Sequence, residues 1–204
     1  YECRLGFHLS RETLFRLKRD LHYLEAISPI RMYHELLNLL GEPAGYQALR
    51  RIRQLGILSA INNGLGQIFF TPRLRILLKN PYSPNFKLCA LTYAATSDES
   101  LTLSRRLSLN KKIFKQIANI RALKQIEKDL VAVSLRPNDI VTAIEKYDPS
   151  AIEIVGLLSG YRIVRKRLAR YLNQWRTIRP QLTGADLVKI GVPKGPMLKF
   201  LLGK

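Results

Sequence analysis

The sequence predicts an all-α chain, an array of about ten short helices joined by short connections. Three observations carry that prediction. Apolar residues recur at helical spacing, as Leu14, Leu17, Leu21 and Leu24 do between Ser10 and Ala26. Helix-start signals recur too, in Ser28-Pro29, Asn110-Lys111, Pro137-Asn138-Asp139 and Asp148-Pro149-Ser150. There is no sustained period-two alternation and no Asn-Gly turn flanked by strand patterns.

Taken in order, the first helix runs from Ser10 to Ala26. Ser28 then caps a second helix through Met32, Leu36, Leu37 and Leu40, which Gly41 ends. After a turn from Gly41 to Gly45, residues Ala48 to Leu55 form the next helix, stopped by Gly56, with Leu58 and Ile61 expected in the core. Asn62-Asn63-Gly64 reads as a turn, and Pro72, Pro81 and Pro84 interrupt the pattern around a short helix at Arg73 to Leu78. Phe86 to Ala95 reads as a buried helix, followed by one from Asp98 to Leu107 and a longer one from Asn110 to about Val133. Ile140 to Tyr147, Ala151 to Ser159 and the basic run from Tyr161 to Arg176 complete the body. Residues Leu182 to Leu202 read as a short helix, a Gly/Pro hairpin and a second short helix. Thr183 is placed to cap the first, Asp186 stands at the capping-box position, and Gly191 ends it.

Composition narrows the function classes. The chain has 204 residues, 47% of them hydrophobic, which suits a buried core and not a disordered basic tail. Thirty-four Lys and Arg against 15 Asp and Glu give a net charge of +19. Such an excess, spread along the chain, points to a polyanion, with nucleic acid ahead of an anionic membrane surface. No stretch is apolar for the ~18–20 residues that span a bilayer. Cys3 and Cys89 form no Cys-x-x-Cys pair, so a reducing cytoplasm is expected, and His8, His22 and His34 form no metal motif. With neither an initial Met nor a signal peptide, the chain is expected to be a piece of a longer protein.

The cations gather in Arg50-Arg51-Ile52-Arg53, Arg73-Leu74-Arg75, Arg105-Arg106, Lys111-Lys112 and, most densely, Arg162 to Arg170. On a helix Arg162, Lys166 and Arg170 share one side at i, i+4 spacing, with Arg165 close by. Like charges so placed repel, and an anion relieves them. The terminal hairpin adds Gly191 and Gly195, where no side chain blocks the backbone, and Lys194 and Lys199. The candidate phosphate contacts are therefore Arg162, Arg165, Lys166, Arg170, Arg179, Gly191, Lys194, Gly195 and Lys199. Two readings of the hairpin stand side by side: a phosphate site, or a connection that packs Ile190, Val192 and Leu198 into a core. Tyr171 and Trp175, one turn apart, suit base stacking or the core, and Trp175 is expected in the core. The acids offer no catalytic constellation. Asp98-Glu99, the one adjacent acidic pair, falls in a first helical turn, where carboxylates meet the helix dipole favourably. There is no Gly-rich phosphate loop and no His-Glu-x-x-His.

The order of these pieces resembles the C-terminal part of the class II tRNA nucleotidyltransferase and bacterial poly(A) polymerase family. Tyr1 to Leu9, with Arg4-Leu5-Gly6-Phe7, is similar to the end of that family's neck, followed by a Thr-bearing helix start at Thr13. Ser28-Pro29-Ile30-Arg31-Met32-Tyr33-His34-Glu35-Leu36 is similar to its Ser-Pro motif, and Arg105 to Leu109 to an element of its body. Tyr171 to Arg176, Leu182 to Leu187 and Gly191 to Pro196 look like its tail. The resemblance implies an elongated neck, body and tail that hold tRNA, divided here as residues 1–60, 61–160 and 161–204. It implies that Ser28, Arg31 and Glu35 brace the neck. From the residues alone, Arg31 and Glu35 read as a surface ion pair worth about 0.3–0.5 kcal/mol. It further implies that an α/β head lying outside these residues carries Mg²⁺ and takes ATP or CTP, adding CMP and/or AMP to tRNA 3′ ends or poly(A) to RNA. This chain alone would then bind RNA and catalyse nothing. Two other classes stay open: a non-enzymatic module gripping duplex DNA by a helix-hairpin-helix, and a protein-interaction scaffold.

Overall fold

The computed structural model describes residues 2–95, 97–178, 184–191, 193 and 195. Among them are fourteen α-helices, ten of eight residues or more, three 3-10 turns and no strand. The helices are α1 (Glu2–Leu5), α2 (Arg11–Arg19), α3 (Pro29–Gly41), α4 (Gly45–Gln54), α5 (Ile57–Ile61), α6 (Asn63–Gly66) and α7 (Pro72–Lys79). They continue as α8 (Pro84–Tyr93), α9 (Ser97–Arg106), α10 (Lys111–Gln125), α11 (Pro137–Ile144), α12 (Pro149–Leu158), α13 (Arg162–Asn173) and α14 (Gly184–Lys189). The all-α expectation holds.

Short polar side chains set the helix starts. Ser10, Asn62, Thr71, Ser83, Asn110 and Asp148 each accept a hydrogen bond from a backbone N–H in the first turn that follows. Pro29, Pro72, Pro84, Pro137 and Pro149 occupy first-turn positions. Pro72 and Pro84 thus open helices, where the sequence had read them as interruptions. Ser28 stands at a cap position but its hydroxyl makes no capping bond.

Boundaries differ from expectation at several points. The helix expected from Ser10 to Ala26 stops at Arg19, and Leu21–Ala26 tightens into a 3-10 turn with the same apolar spacing. The α4 helix begins at Gly45, three residues before Ala48. Asn62 does not head a plain turn but caps the single helical turn α6. The α10 helix ends at Gln125, well short of Val133, and Asp129–Val131 is a separate 3-10 turn. Gly56 closes α4 with φ +82°, a left-handed backbone that side-chain-bearing residues rarely adopt.

A continuous apolar core runs from Met32 on α3 to Tyr171 on α13. Its centre is α8, buried over Phe86–Thr92, packed between α3, α10 and α12. Leu88, Leu91, Ile152, Ile154 and Val155 are fully buried there, each contributing about 1.5–3 kcal/mol. Against α12 lies α13, which seats Val164, Leu168 and Tyr171. Gly156 permits the approach, since a Cβ there would stand 3.3 Å from the Leu168 Cβ.

Two buried polar groups tie the core. Lys87 donates its Nζ to the Leu40 carbonyl at 3.1 Å, a cation at the negative end of α3. Tyr93 donates its hydroxyl to Glu127 at 2.9 Å, and burial raises the Glu127 carboxyl above its usual range. By contrast α1, α2 and the Leu21–Ala26 turn bury no residue. That N-terminal arm is held by Glu2, which receives the Arg51 guanidinium at 2.7 Å and the Leu9 N–H at 3.1 Å.

Candidate nucleic-acid interface

The basic run forms α13, and its side chains divide by helical position. Val164, Leu168 and Tyr171 face the core, whereas Arg162, Lys166 and Arg170 lie exposed at i, i+4 spacing. Two further arginines of the run are spent on the fold. Arg165 donates from Nη1 to the Ser159 and Gly160 carbonyls at 2.8 and 3.1 Å, which end α12. Arg167 donates to the Leu130 and Ala132 carbonyls at 2.6 and 3.0 Å and so fixes the 3-10 turn after α10.

Arg73, 89 positions before Arg162, comes from a different basic segment. The structure brings it within electrostatic reach of the first turn of α13. Burial first, then Arg73 and Arg162, lower the Arg165 guanidinium from its ordinary value. Arg73 stands in the first turn of α7, as Arg162 and Arg165 do in that of α13, and neither first turn holds an acid. Helix N-termini carry partial positive charge, so Arg73 and Arg162 stand at ends where cations are least welcome, while Arg165 is turned onto the carbonyls that end α12.

The other basic clusters show the same division. Arg51 pairs with Glu2 and Arg53 donates from Nε to the Gly66 carbonyl at 3.1 Å, while Arg50 is exposed. Arg106 is drawn to the Leu24 and Ile27 carbonyls, and Arg105 stays exposed. Lys111 and Lys112 are exposed. Composition exposed these clusters; it did not distinguish the fold-holding member from the free one, since both are the same residue type.

The remaining expected contacts lie elsewhere. Gly191 ends α14 with φ +95° and donates its N–H to the Val188 carbonyl at 3.0 Å; Gly195 has φ +159°, and a Cβ at either would meet nothing within 4 Å. Ile190 is 72% exposed, so it does not pack into a core as the second reading of the hairpin required. Arg179, Lys194 and Lys199, together with Thr183, Val192 and Leu198, lie outside the described residues. Trp175 stands half-buried in the 3-10 turn Trp175–Thr177 against the core, and Tyr171 is buried, leaving it no face for a base. Arg31 and Glu35 are both exposed, and no ion pair joins them among the described residues. Both border a cavity of about 410 Å³ whose wall is otherwise apolar, including Leu24, Met32, Ile52 and Ile61.

The described residues hold no group of three or more His, Cys, Asp or Glu placed to bind a metal ion, and no helix long and apolar enough to cross a membrane. Cys3 and Cys89 are free thiols, and burial pushes that of Cys89 up to about 12.

The chain is similar to known proteins in sequence and in fold. Residues 6–67 match the family model described as "Probable RNA and SrmB- binding site of polymerase A". The chain is 22% identical over 225 residues to an A-adding tRNA nucleotidyltransferase of Geobacter sulfurreducens, an alignment that takes in 100% of this chain and 26% of that protein. Its fold superposes on a CCA-adding enzyme in complex with CTP with a TM-score of 0.68, at 16% identity over 99% of this chain and 51% of that one. It also superposes on the Bacillus stearothermophilus CCA-adding enzyme in complex with CTP with a TM-score of 0.54, at 22% identity over 99% of this chain and 52% of that one. The chain thus spans about a quarter of the curated relative and about half of each solved structure. Residues 6–67 thus match a model described for polymerase A, and the fold of the chain is similar to about half of each CCA-adding enzyme.

Proposed function

We propose that this chain is the RNA-holding helical part of a template-independent nucleotidyltransferase, one that adds CMP and/or AMP to tRNA 3′ ends. The observation that carries this reading is the stripe of Arg162, Lys166 and Arg170, exposed at i, i+4 spacing along α13, whose first turn holds no acid. Such a track suits a row of backbone phosphates, each neutralised phosphate releasing counterions. The match of residues 6–67 to an RNA-binding module and the likeness to A-adding and CCA-adding enzymes support RNA as the polyanion.

The whole enzyme's chemistry belongs to this proposal. Mg²⁺ and ATP or CTP would be held by an α/β head outside these residues, with the metal stabilising the leaving pyrophosphate. Residues 1–60, 61–160 and 161–204 would serve as end of neck, body and tail, with Arg31 and Glu35 at the neck and Gly191, Lys194, Gly195 and Lys199 touching RNA at the tail. The description of the matched model as a site of polymerase A makes poly(A) addition to RNA the second activity this proposal covers.

The test is a binding titration of the chain against tRNA and a length-matched DNA duplex over a range of salt. Tighter binding to tRNA, weakening steeply with salt, is expected. Preference for the DNA duplex would replace this reading with a DNA-gripping module, and binding to neither would reject the phosphate track.

A further inference from the structure

The extended link between α6 and α7 carries Phe69 and Phe70 beside the helix that bears Arg50 and Arg53. A cleft of about 190 Å³ opens there, lined by Arg50, Arg53, Gln54 and Phe70, with no acid in its wall. Its rear is fixed. The Arg53 guanidinium carbon lies 5.5 Å from the Phe70 ring centroid while Nε is held by the Gly66 carbonyl. Phe70 meets Tyr46 edge to face at 5.8 Å, and the Lys79 ammonium stands 5.6 Å from the Tyr46 ring. The front is open. Phe69, adjacent in the chain, is 74% exposed.

An exposed aromatic next to a rigid arginine-lined cleft is the arrangement that takes up unpaired bases, whose π-faces stack on rings and guanidinium planes whatever the sequence. Thr71 then caps α7, whose first turn carries Arg73.

We infer that Phe69, with the cleft of Arg50, Arg53, Gln54 and Phe70, is a stacking site for an unpaired nucleobase of the bound RNA. This rests on the RNA-binding reading above and adds to it a preference for single-stranded over duplex segments. The Arg50 side chain supplies a phosphate contact beside the stacked base. Neither the phosphate track nor the tail hairpin requires such a preference.

The experiment compares the native chain, Phe69→Ala and Phe69→Trp against a short single-stranded RNA and an RNA duplex of equal length. Phe69→Ala is expected to weaken single-strand binding about five- to a hundredfold, the range for loss of one stacked base, and to leave duplex binding unchanged. Phe69→Trp should retain the affinity, and its added indole emission should be quenched by the single strand and not by the duplex. Unchanged single-strand affinity in Phe69→Ala, alongside weakened binding in Lys166→Ala, would overturn the stacking site and leave the phosphate track standing. Equal loss of single strand and duplex in Phe69→Ala would also overturn it, marking Phe69 as a general contact. Failure of the native chain to bind either RNA would remove the RNA-binding reading and this inference with it.

Discussion

Arg162 and Lys166 share a helix with Arg165 and Arg167, and the two pairs do opposite things. The first pair lies exposed at i, i+4 spacing. The second pair reaches back to four backbone carbonyls, at Ser159 and Gly160 and at Leu130 and Ala132. One run of cations thus supplies both the seat of α13 and the charge it presents. The lesson extends to α4, where Arg51 holds Glu2 and Arg53 holds the Gly66 carbonyl while Arg50 stays free. A net charge of +19 therefore overstates the charge available to a partner as freely oriented side chains.

Substitutions test that division. Arg167→Ala strips two carbonyls of a charged donor and should destabilise the fold by about 1–3 kcal/mol in urea unfolding. It should leave the salt dependence of RNA binding as in the native chain. A stable Arg167→Ala chain with a shallower salt slope would assign Arg167 to the RNA side.

A smaller effect is expected from Glu2→Gln. The Arg51 guanidinium, first, and then the Leu9 N–H hold the Glu2 carboxyl down from 4.5 to about 2. Because that value is depressed in the folded state, its stabilisation is complete above pH 4.5 and is lost as pH falls through about 2. Glu2→Gln should flatten the stability profile over this acid window. Unchanged acid dependence would mean that the arm is not secured through Glu2.

The smallest effect should come from Arg31→Ala. Both Arg31 and Glu35 are exposed and unjoined by an ion pair, so unfolding should shift by less than about 0.5 kcal/mol. A loss well beyond that would show that Arg31 braces this chain by itself.

Much of the fold was legible because its helix starts are written in short-range chemistry. Asn110 and Asp148-Pro149 read as starts and do open α10 and α12, while Thr71-Pro72 and Ser83-Pro84 carry the same capping chemistry although they read as interruptions. Helix ends were less legible. Ile126, Leu130 and Val131 continue an apolar rhythm past Gln125, yet the chain there tightens into a 3-10 turn under the Arg167 contacts. The exposed members of the site, Arg162, Lys166 and Arg170, followed from helical spacing. That Arg73 joins them did not, because it depends on how α7 and α13 pack against α12. Nor did the cleft at Phe70, which needs α4 and the α6–α7 link side by side.

The exposed stripe of α13 is where the proposed RNA contact is concentrated. The decisive measurement is the salt dependence of tRNA affinity for the native chain and for the triple variant Arg162→Ala, Lys166→Ala, Arg170→Ala, with unfolding recorded on both. The variant should fold with stability within about 0.5 kcal/mol of the native chain. Its slope of log affinity against log salt should be shallower by about 2–3, close to one for each lost phosphate contact. A slope and affinity equal to the native chain's, in a variant that folds normally, would contradict the claim that this stripe carries RNA.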